Sequence, residues 1–283
     1  MAGTLYIVAT PIGNLDDISA RALRVLKEVS VIAAEDTRRT HHLLQRYGLT
    51  TRSTSFHEHN AKSKAPELID RLLAGESVAL VTDAGTPGIS DPGHELVGLA
   101  HERQIPVVPI PGASAVTAAL SVCGFPGTGF VFLGFPPSKG SERRAWFEKF
   151  AAAQGVVPLV VFYEAPHRIR QTLDEIGVKF GRLPVCVCRE LTKVHEVVEV
   201  GYVTKMAPPS EVGEFVVVVN IGDLTNMVGR QTPPSPTQIA LEFVQMTKSE
   251  GLRRRQAISA LSRKYDLPAR EIYAMVESEK PPV

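Results

Sequence analysis

Between Asp83 and Gly93 the chain reads DAGTPGISDPG, with two acids, three glycines and two prolines in eleven positions. These residue types suit one kind of chemistry. Carboxylates accept hydrogen bonds from ribose hydroxyls or from an ammonium group. Glycines let backbone N–H and C=O groups approach a ligand with no Cβ in the way. Prolines fix the loop's shape and reduce the entropy lost when a ligand binds. A phosphate site asks instead for lysine and a helix N-terminus. Neither G-x-x-x-x-G-K-[ST] nor G-x-G-x-x-G occurs in the chain, so the loop fits a nucleoside bearing little phosphate. A rigid connection without a ligand explains any one glycine, but explains the whole set less well.

A second candidate cluster is AEDTRRTHH, where Glu35, Asp36, Arg38 and Arg39 follow an apolar run. A carboxylate there could act as a general base, and an arginine could hold a phosphate or a developing anion. The plain alternative is an acidic helix start followed by a solvated basic face, which for Arg39 alone is the better reading. His41, His42, His57 and His59 follow no familiar ligand spacing, so no metal is expected. Cys186 and Cys188 alternate in a strand and should be small core residues. His167 could be a base, or a helix-start histidine packed near a cleft. Residues 136–144, PPSKGSERR, read as a Gly/Ser loop with Lys139, Arg143 and Arg144: either an ordinary solvated loop, or a mobile basic loop beside the cleft that suits RNA phosphate contacts.

The elements that must position these residues alternate strand and helix over the first 120 positions. Strands are expected at 4–10, 29–36, 78–81 and around IPVVPIPG. Helices are expected after Ser19, over 37–47, over 66–74, over 95–103 and over ASAVTAALSVCG. Such alternation predicts a mostly parallel sheet with helices on both faces. The turn formers of GFPGTG mark a boundary. Beyond it, FVFLGF, PLVVFYE, PVCVCRE, VHEVVEVGYV and EFVVVVNIG read as strands of a mixed sheet. The expected organisation is a parallel α/β domain over 1–124, a mixed α/β domain over 125–222, a Pro-rich linker, and a basic helical extension over 237–283. In this α/β fold the ligand should lie beyond the carboxyl ends of the first sheet's strands.

Composition narrows the function classes. The chain has 283 residues, 44% hydrophobic and 22% charged, with net charge +1. That is ordinary for a globular protein, and any basic surface must be local. Six basic residues against one acid lie between Leu252 and Arg270, three of them Arg253, Arg254 and Arg255. No apolar run approaches a membrane span, and no signal peptide is expected from the N-terminal run. Three cysteines fit a reducing cytoplasm better than a disulfide framework.

Seven blocks occur in order: TPIGNLDD (10–17), AEDTRRT (34–40), TDAGTPGISDPG (82–93), PIPGASA (109–115), FYEAPHRI (162–169), RELTKVHE (189–196) and GEFVVVV (213–219). This run resembles the tetrapyrrole-methylase superfamily, also called class III S-adenosylmethionine (SAM) methyltransferases. AEDTR and FYEAPHR are similar to its branch that modifies ribosomal RNA. The resemblance implies a two-domain protein, usually a homodimer, with SAM in the cleft between domains. It implies methyl transfer to the ribose 2′-hydroxyl of a cytidine in the decoding region of 16S rRNA. It points to Asp83, Ala84 and Gly85 contacting SAM through backbone, Pro11 lining the cleft, and Ser114 and Ala115 near the methionine or ribose part. It places Tyr163, Leu191, Gly213 and Glu214 around the adenine. Asp36, with Glu35, becomes the candidate base, and Arg38 and Arg39 candidate RNA contacts. Asn220 departs from the pattern, where an acid is expected. Two rivals stand beside this reading: a tetrapyrrole or protein methyltransferase of the same superfamily, and a non-catalytic SAM- or nucleoside-sensing protein that binds RNA.

Overall fold

The computed structural model describes residues 2–127, 129–206, 212–222, 236–248, 252–265 and 268–278. The chain divides into two compact units, Met1–Ile221 and Gly222–Val283. The linker expected between them falls outside the described residues.

In the larger unit the elements run β1 (Leu5–Val8), α1 (Ala20–Glu28), β2 (Val31–Ala34), α2 (Thr37–Arg46), β3 (Ser53–Ser55), α3 (Ala61–Leu73), β4 (Val78–Val81), α4 (His94–Glu102), β5 (Val107–Ile110), α5 (Ala115–Val122), β6 (Phe130–Phe132), α6 (Gly140–Ala152), β7 (Leu159–Glu164), α7 (Ile169–Phe180), β8 (Pro184–Arg189), β9 (Val197–Tyr202) and β10 (Phe215–Asn220). The first sheet has the order β3-β2-β4-β1-β5, and all four pairings are parallel. Strands β1, β2, β4 and β5 are short and apolar, as strands covered on both faces must be. On one face Leu5, Val31, Ala33 and Leu80 pack against Leu68 and Leu72 of α3 and Leu96 of α4. On the other, Val8, Ile32, Ala34 and Val81 pack against Ala22, Val25 and Leu26 of α1 and Leu44 of α2. Ser19 caps α1 by accepting from the Ala22 amide at 3.1 Å.

The second sheet has the order β6-β7-β10-β8-β9. Only β6 and β7 run parallel; β10 is antiparallel to β7 and to β8, and β8 to β9. One face holds Trp146, Phe147 and Phe150 of α6 and Ile169, Leu173 and Ile176 of α7. The other carries α5, whose Val116 and Ala119 pack with Val161, Cys186, Cys188 and Val218. The small residues of α5 thus let a helix that follows the first sheet lie on the second. Asn220 pairs with Leu159, at the opposite end of β10 from Phe215.

Three local expectations need correction. Helix α3 begins at Ala61, five residues before the expected Pro66. Ala61 and Ala65 are buried beside Phe56, and that burial outweighs the one helical hydrogen bond a proline forfeits. Strand β3 (STS) carries no apolar signal and owes its place to pairing with β2. Residues 136–144 are not one loop: Gly140 to Arg144 form the first turn of α6. The smaller unit comprises α8 (Pro236–Lys248), α9 (Arg254–Tyr265) and α10 (Ala269–Ser278), joined by a core of Ile239, Leu261, Ile272 and Val276.

Candidate active site

The carboxyl ends of β1, β2 and β4 are tied together by hydrogen bonds, and the ties decide which groups remain for a ligand. Thr10, after β1, forms an antiparallel bridge with Gly85: Thr10 N–H donates to the Gly85 carbonyl at 2.9 Å, and Gly85 N–H to the Thr10 carbonyl at 3.0 Å. Gly85 makes that bridge at φ +87°, a left-handed conformation costly for any other residue. Glu35 Oε2 accepts from the Thr82 hydroxyl at 2.6 Å and from the Asp83 amide at 3.2 Å. Asp83 Oδ1 accepts from the Asp36 amide at 3.0 Å. The backbone groups of Gly85 and the Asp83 amide are therefore engaged within the protein. Among the described residues, Ala84 is the member of this turn whose N–H and C=O are both open.

Beyond these ends lies a cavity of about 370 Å³. From the first sheet it is lined by Glu35, Arg39, the Thr82–Thr86 turn, Ile89–Asp91, Ser114 and Ala115. From the second sheet come Phe135, Tyr163, Leu191, Gly213, Glu214, Phe215 and Val216. Ten of the residues expected at the site thus meet in one cavity: Glu35, Asp83, Ala84, Gly85, Ser114, Ala115, Tyr163, Leu191, Gly213 and Glu214; the expected RNA contact Arg39 joins them at its rim. Pro11 instead lines a smaller hollow of about 210 Å³ that shares Arg39, Thr82 and Asp83 with the main cavity.

The second-sheet wall is held from behind. Glu164 has 1% of its surface exposed. It accepts from the Ala165 amide at 2.8 Å and the Thr172 hydroxyl at 2.5 Å, and pairs with Arg168 at 2.8 Å. Arg168 also donates to the Pro136 carbonyl at 3.0 Å, and Arg143 to the Pro137 carbonyl at 2.8 Å. These two arginines pin the segment that carries Phe135, whose ring lies 5.2 Å from that of Tyr163. On the far side of the cavity Lys193 bridges Glu190 and Glu214, at 2.9 and 3.1 Å.

Two expectations change role. Arg143, expected on a solvated loop, is only 7% exposed and bonds Glu175, Thr172 and Pro137. Its hydrogen-bonding groups are spent inside the protein, so it is a brace and not a phosphate contact. Lys139 and Arg144 are exposed. Asp36 does not line the cavity. Its carboxylate caps α2, accepting from the Arg38 amide at 2.8 Å, and is clamped by the Arg38 guanidinium at 2.7 Å. That hydrogen-bonded guanidinium holds the Asp36 carboxyl well below the ordinary range, the wrong direction for a base. Arg38 in turn points to solvent. His167 lies on an outer face along α7 with Arg170 and Asp174.

The sequence reading left out Asp91, Phe135 and the Glu164–Pro166 segment. Asp91 lies in the same Gly/Pro loop as Asp83, and nothing local in the sequence distinguishes the two. Burial, followed by the nearby Glu35 and Asp83 charges, pushes the Asp91 carboxyl up to about 6. Asp83 is raised by burial first and then by the Glu35 charge. Burial and the Asp91 charge push the Tyr163 phenol up to about 12. Among the described residues, no group of three or more His, Cys, Asp or Glu side chains could hold a metal ion.

Two α/β sheets, the first wholly parallel and the second mixed, with a ligand-sized cavity lined from both, define a methylase architecture. The chain belongs to the family of tetrapyrrole (corrin/porphyrin) methylases, whose model matches residues 4–207. It is 39% identical to the ribosomal RNA small subunit methyltransferase I of Halalkalibacterium halodurans, over 98% of this chain and 96% of that one. It is 40% identical to the protein of the same name from Synechocystis sp., over 96% of this chain and 97% of that one. In structure it resembles the uroporphyrin-III C-methyltransferase of Thermus thermophilus complexed with S-adenyl homocysteine, with TM-score 0.56 and 17% identity over 77% of this chain and 97% of that one. At that identity the likeness speaks for the fold alone.

Proposed function

We propose that this protein transfers a methyl group from SAM to the ribose 2′-hydroxyl of a cytidine in the decoding region of 16S rRNA, within the small ribosomal subunit. The observation that carries the reading is a single cavity with an acidic edge and an apolar wall, in a chain related over nearly its whole length to enzymes named for small-subunit rRNA methylation.

The residues present fit SAM. Of the five carboxylates in the lining, Glu164 is paired with Arg168 and Glu214 with Lys193, which leaves Glu35, Asp83 and Asp91 against one lining arginine, Arg39. Such a balance suits a ligand with a sulfonium and an ammonium group, and repels a triphosphate. The open backbone of Ala84 can hydrogen-bond the donor. Tyr163, Leu191, Phe215 and Val216 offer flat apolar surface to a purine. Ser114 and Ala115, at the start of α5, suit the methionine or ribose part. When bound, SAM supplies an electrophilic methyl carbon. The protein's contribution is to hold the hydroxyl in line with that carbon and to exclude water. Arg39 at the rim, with Arg38, Lys139 and Arg144, supplies charge for the RNA backbone. In the smaller unit Arg253 and Arg255 are exposed and do the same. Arg254 instead pairs with Glu277 and lies over the Phe243 and Tyr273 rings, so it also braces the bundle.

The rival reading, methylation of a tetrapyrrole or a protein side chain, has the family match and the fold-level likeness behind it, whereas relatives covering nearly the whole chain are named for rRNA methylation. Cytoplasmic action as a homodimer completes the proposal; light scattering reads the dimer. The deciding experiment is transfer of tritiated methyl from SAM to purified 30S subunits and to naked 16S rRNA. Label on a cytidine 2′-oxygen of the subunits is expected. SAM binding without transfer to either RNA sample would overturn the enzymatic reading.

A further inference from the structure

The three carboxylates that the first sheet brings to the cavity are not alike. Glu35 takes hydrogen bonds from the Thr82 hydroxyl and the Asp83 amide. Asp83 takes one from the Asp36 amide, with the Arg39 guanidinium 3.5 Å away. Asp91 has neither an amide nor a cation among the described residues. The hydroxyl that hydrogen-bonds it is that of Thr82, which has a single proton to give and stands 2.6 Å from Glu35. A carboxylate whose lone pairs bind structure must lose those bonds to accept a proton. A carboxylate with free lone pairs facing a cavity keeps a basic site open.

Building on the methyl-transfer reading above, we propose that Asp91 is the general base that takes the proton of the ribose 2′-hydroxyl. As the bond from the 2′-oxygen to the methyl carbon forms, the carbon–sulfur bond breaks and its electron pair stays on sulfur. The hydroxyl proton passes to an Asp91 carboxylate oxygen. One positive and one negative charge are thereby removed, and the products are a thioether, a methyl ether and a neutral carboxylic acid. Asp91 returns its proton to solvent as product leaves.

The surroundings tune Asp91 toward this work. Glu35 and Asp83, from the ends of β2 and β4, add their charges to the effect of burial and place the carboxyl at about 6, where it is ionised at neutral pH yet more basic than an ordinary aspartate. Tyr163 approaches from the second sheet and stays protonated. The other charged groups of the lining are already matched: Arg39 with Asp83, Glu164 with Arg168, and Glu214 with Lys193.

The test is single-turnover methylation of 30S subunits at saturating SAM across pH 5 to 8.5, with SAM affinity measured separately by calorimetry. The wild-type rate should rise with pH and level off after a midpoint near 6. Asp91→Asn should be slower by about 100-fold and lose that midpoint, with SAM affinity changed by less than about twofold. Asp91→Glu should recover part of the rate and restore a pH midpoint. The proposal is overturned if Asp91→Asn keeps the wild-type rate and profile. It is equally overturned if higher SAM concentration restores the lost rate, since the acid would then belong to the methyl-donor site. Wild-type transfer in the same experiment separates the two claims: where it is present, a fast Asp91→Asn removes the base alone, and where it is absent, the methyl-transfer reading fails first and the base with it.

Discussion

The two sheets contribute to one cavity by opposite means. The first offers polar groups at the ends of parallel strands, and most of these are already bonded to one another: Thr10 to Gly85, Glu35 to Thr82 and Asp83, Asp83 to Asp36. The second offers an apolar wall of Phe135, Tyr163, Leu191, Phe215 and Val216, backed by a buried network in which Thr172, Arg168 and Arg143 surround the Glu164 carboxylate or its partners. One edge is specific because its backbone is locked. The other is adhesive because its charges, Glu164 and Glu214, are paired with Arg168 and Lys193. A buried carboxylate such as Glu164 is tolerable only when paired and hydrogen-bonded, and its partners are the groups that fix the wall.

This contrast predicts unequal sensitivity. The largest effect should come from Gly85→Val. A β-branched residue at φ +87° costs about 1–3 kcal/mol and pulls the turn off its Thr10 bridge, so SAM binding should be lost while circular dichroism stays that of a folded protein. Calorimetry that finds SAM affinity unchanged would show that the loop's shape is irrelevant to the ligand. Tyr163→Ala removes part of the wall without disturbing the locked edge. It should weaken SAM binding by about tenfold, near the 1–3 kcal/mol of a stacked ring, and leave the bound-state rate almost intact. A collapse in rate with unchanged affinity would mean that the second sheet takes part in the chemistry.

Smaller effects belong to residues outside the cavity. Replacing Arg253 and Arg255 together by Ala should lower the slope of log affinity for 30S subunits against log salt by about 2, whereas Arg254→Ala should also lower the bundle's thermal stability. A double variant with the wild-type salt slope would leave those two arginines as solvated surface. The smallest expected change is that of Asp36→Asn. Asparagine caps a helix as well as aspartate does, and the Asp36 side chain lies outside the cavity lining. Its single-turnover rate should match wild type, and a large loss would return Asp36 to the chemistry.

What could be read in the sequence, and what could not, divides along the same physical line. Strands such as Val31–Ala34 and Phe215–Asn220 are continuous apolar runs, and burial on both faces leaves that mark in composition. Strand Ser53–Ser55 leaves none, because its place comes from a neighbour's backbone. Gly140–Arg144 looked like a loop because its composition is that of one. The aromatic residues that pull it into a helix, Trp146, Phe147 and Phe150, act through α7 and the sheet. Arg143 could not be told from Lys139 or Arg144 without knowing that Glu175 waits 32 positions along the chain.

The sequence by itself determined the alternation of elements, the acidic Gly/Pro turn and the kind of ligand that turn can hold, because these depend on residue type and short spacing. Only the tertiary structure decided which acid does what. Glu35, Asp36, Asp83 and Asp91 are equal on paper. They become a strand-end anchor, a helix cap, a bridged carboxylate and an open base through partners as far as 47 residues away. A carboxylate's proton affinity is set by the donors and charges around it, and those arrive only when the chain has folded.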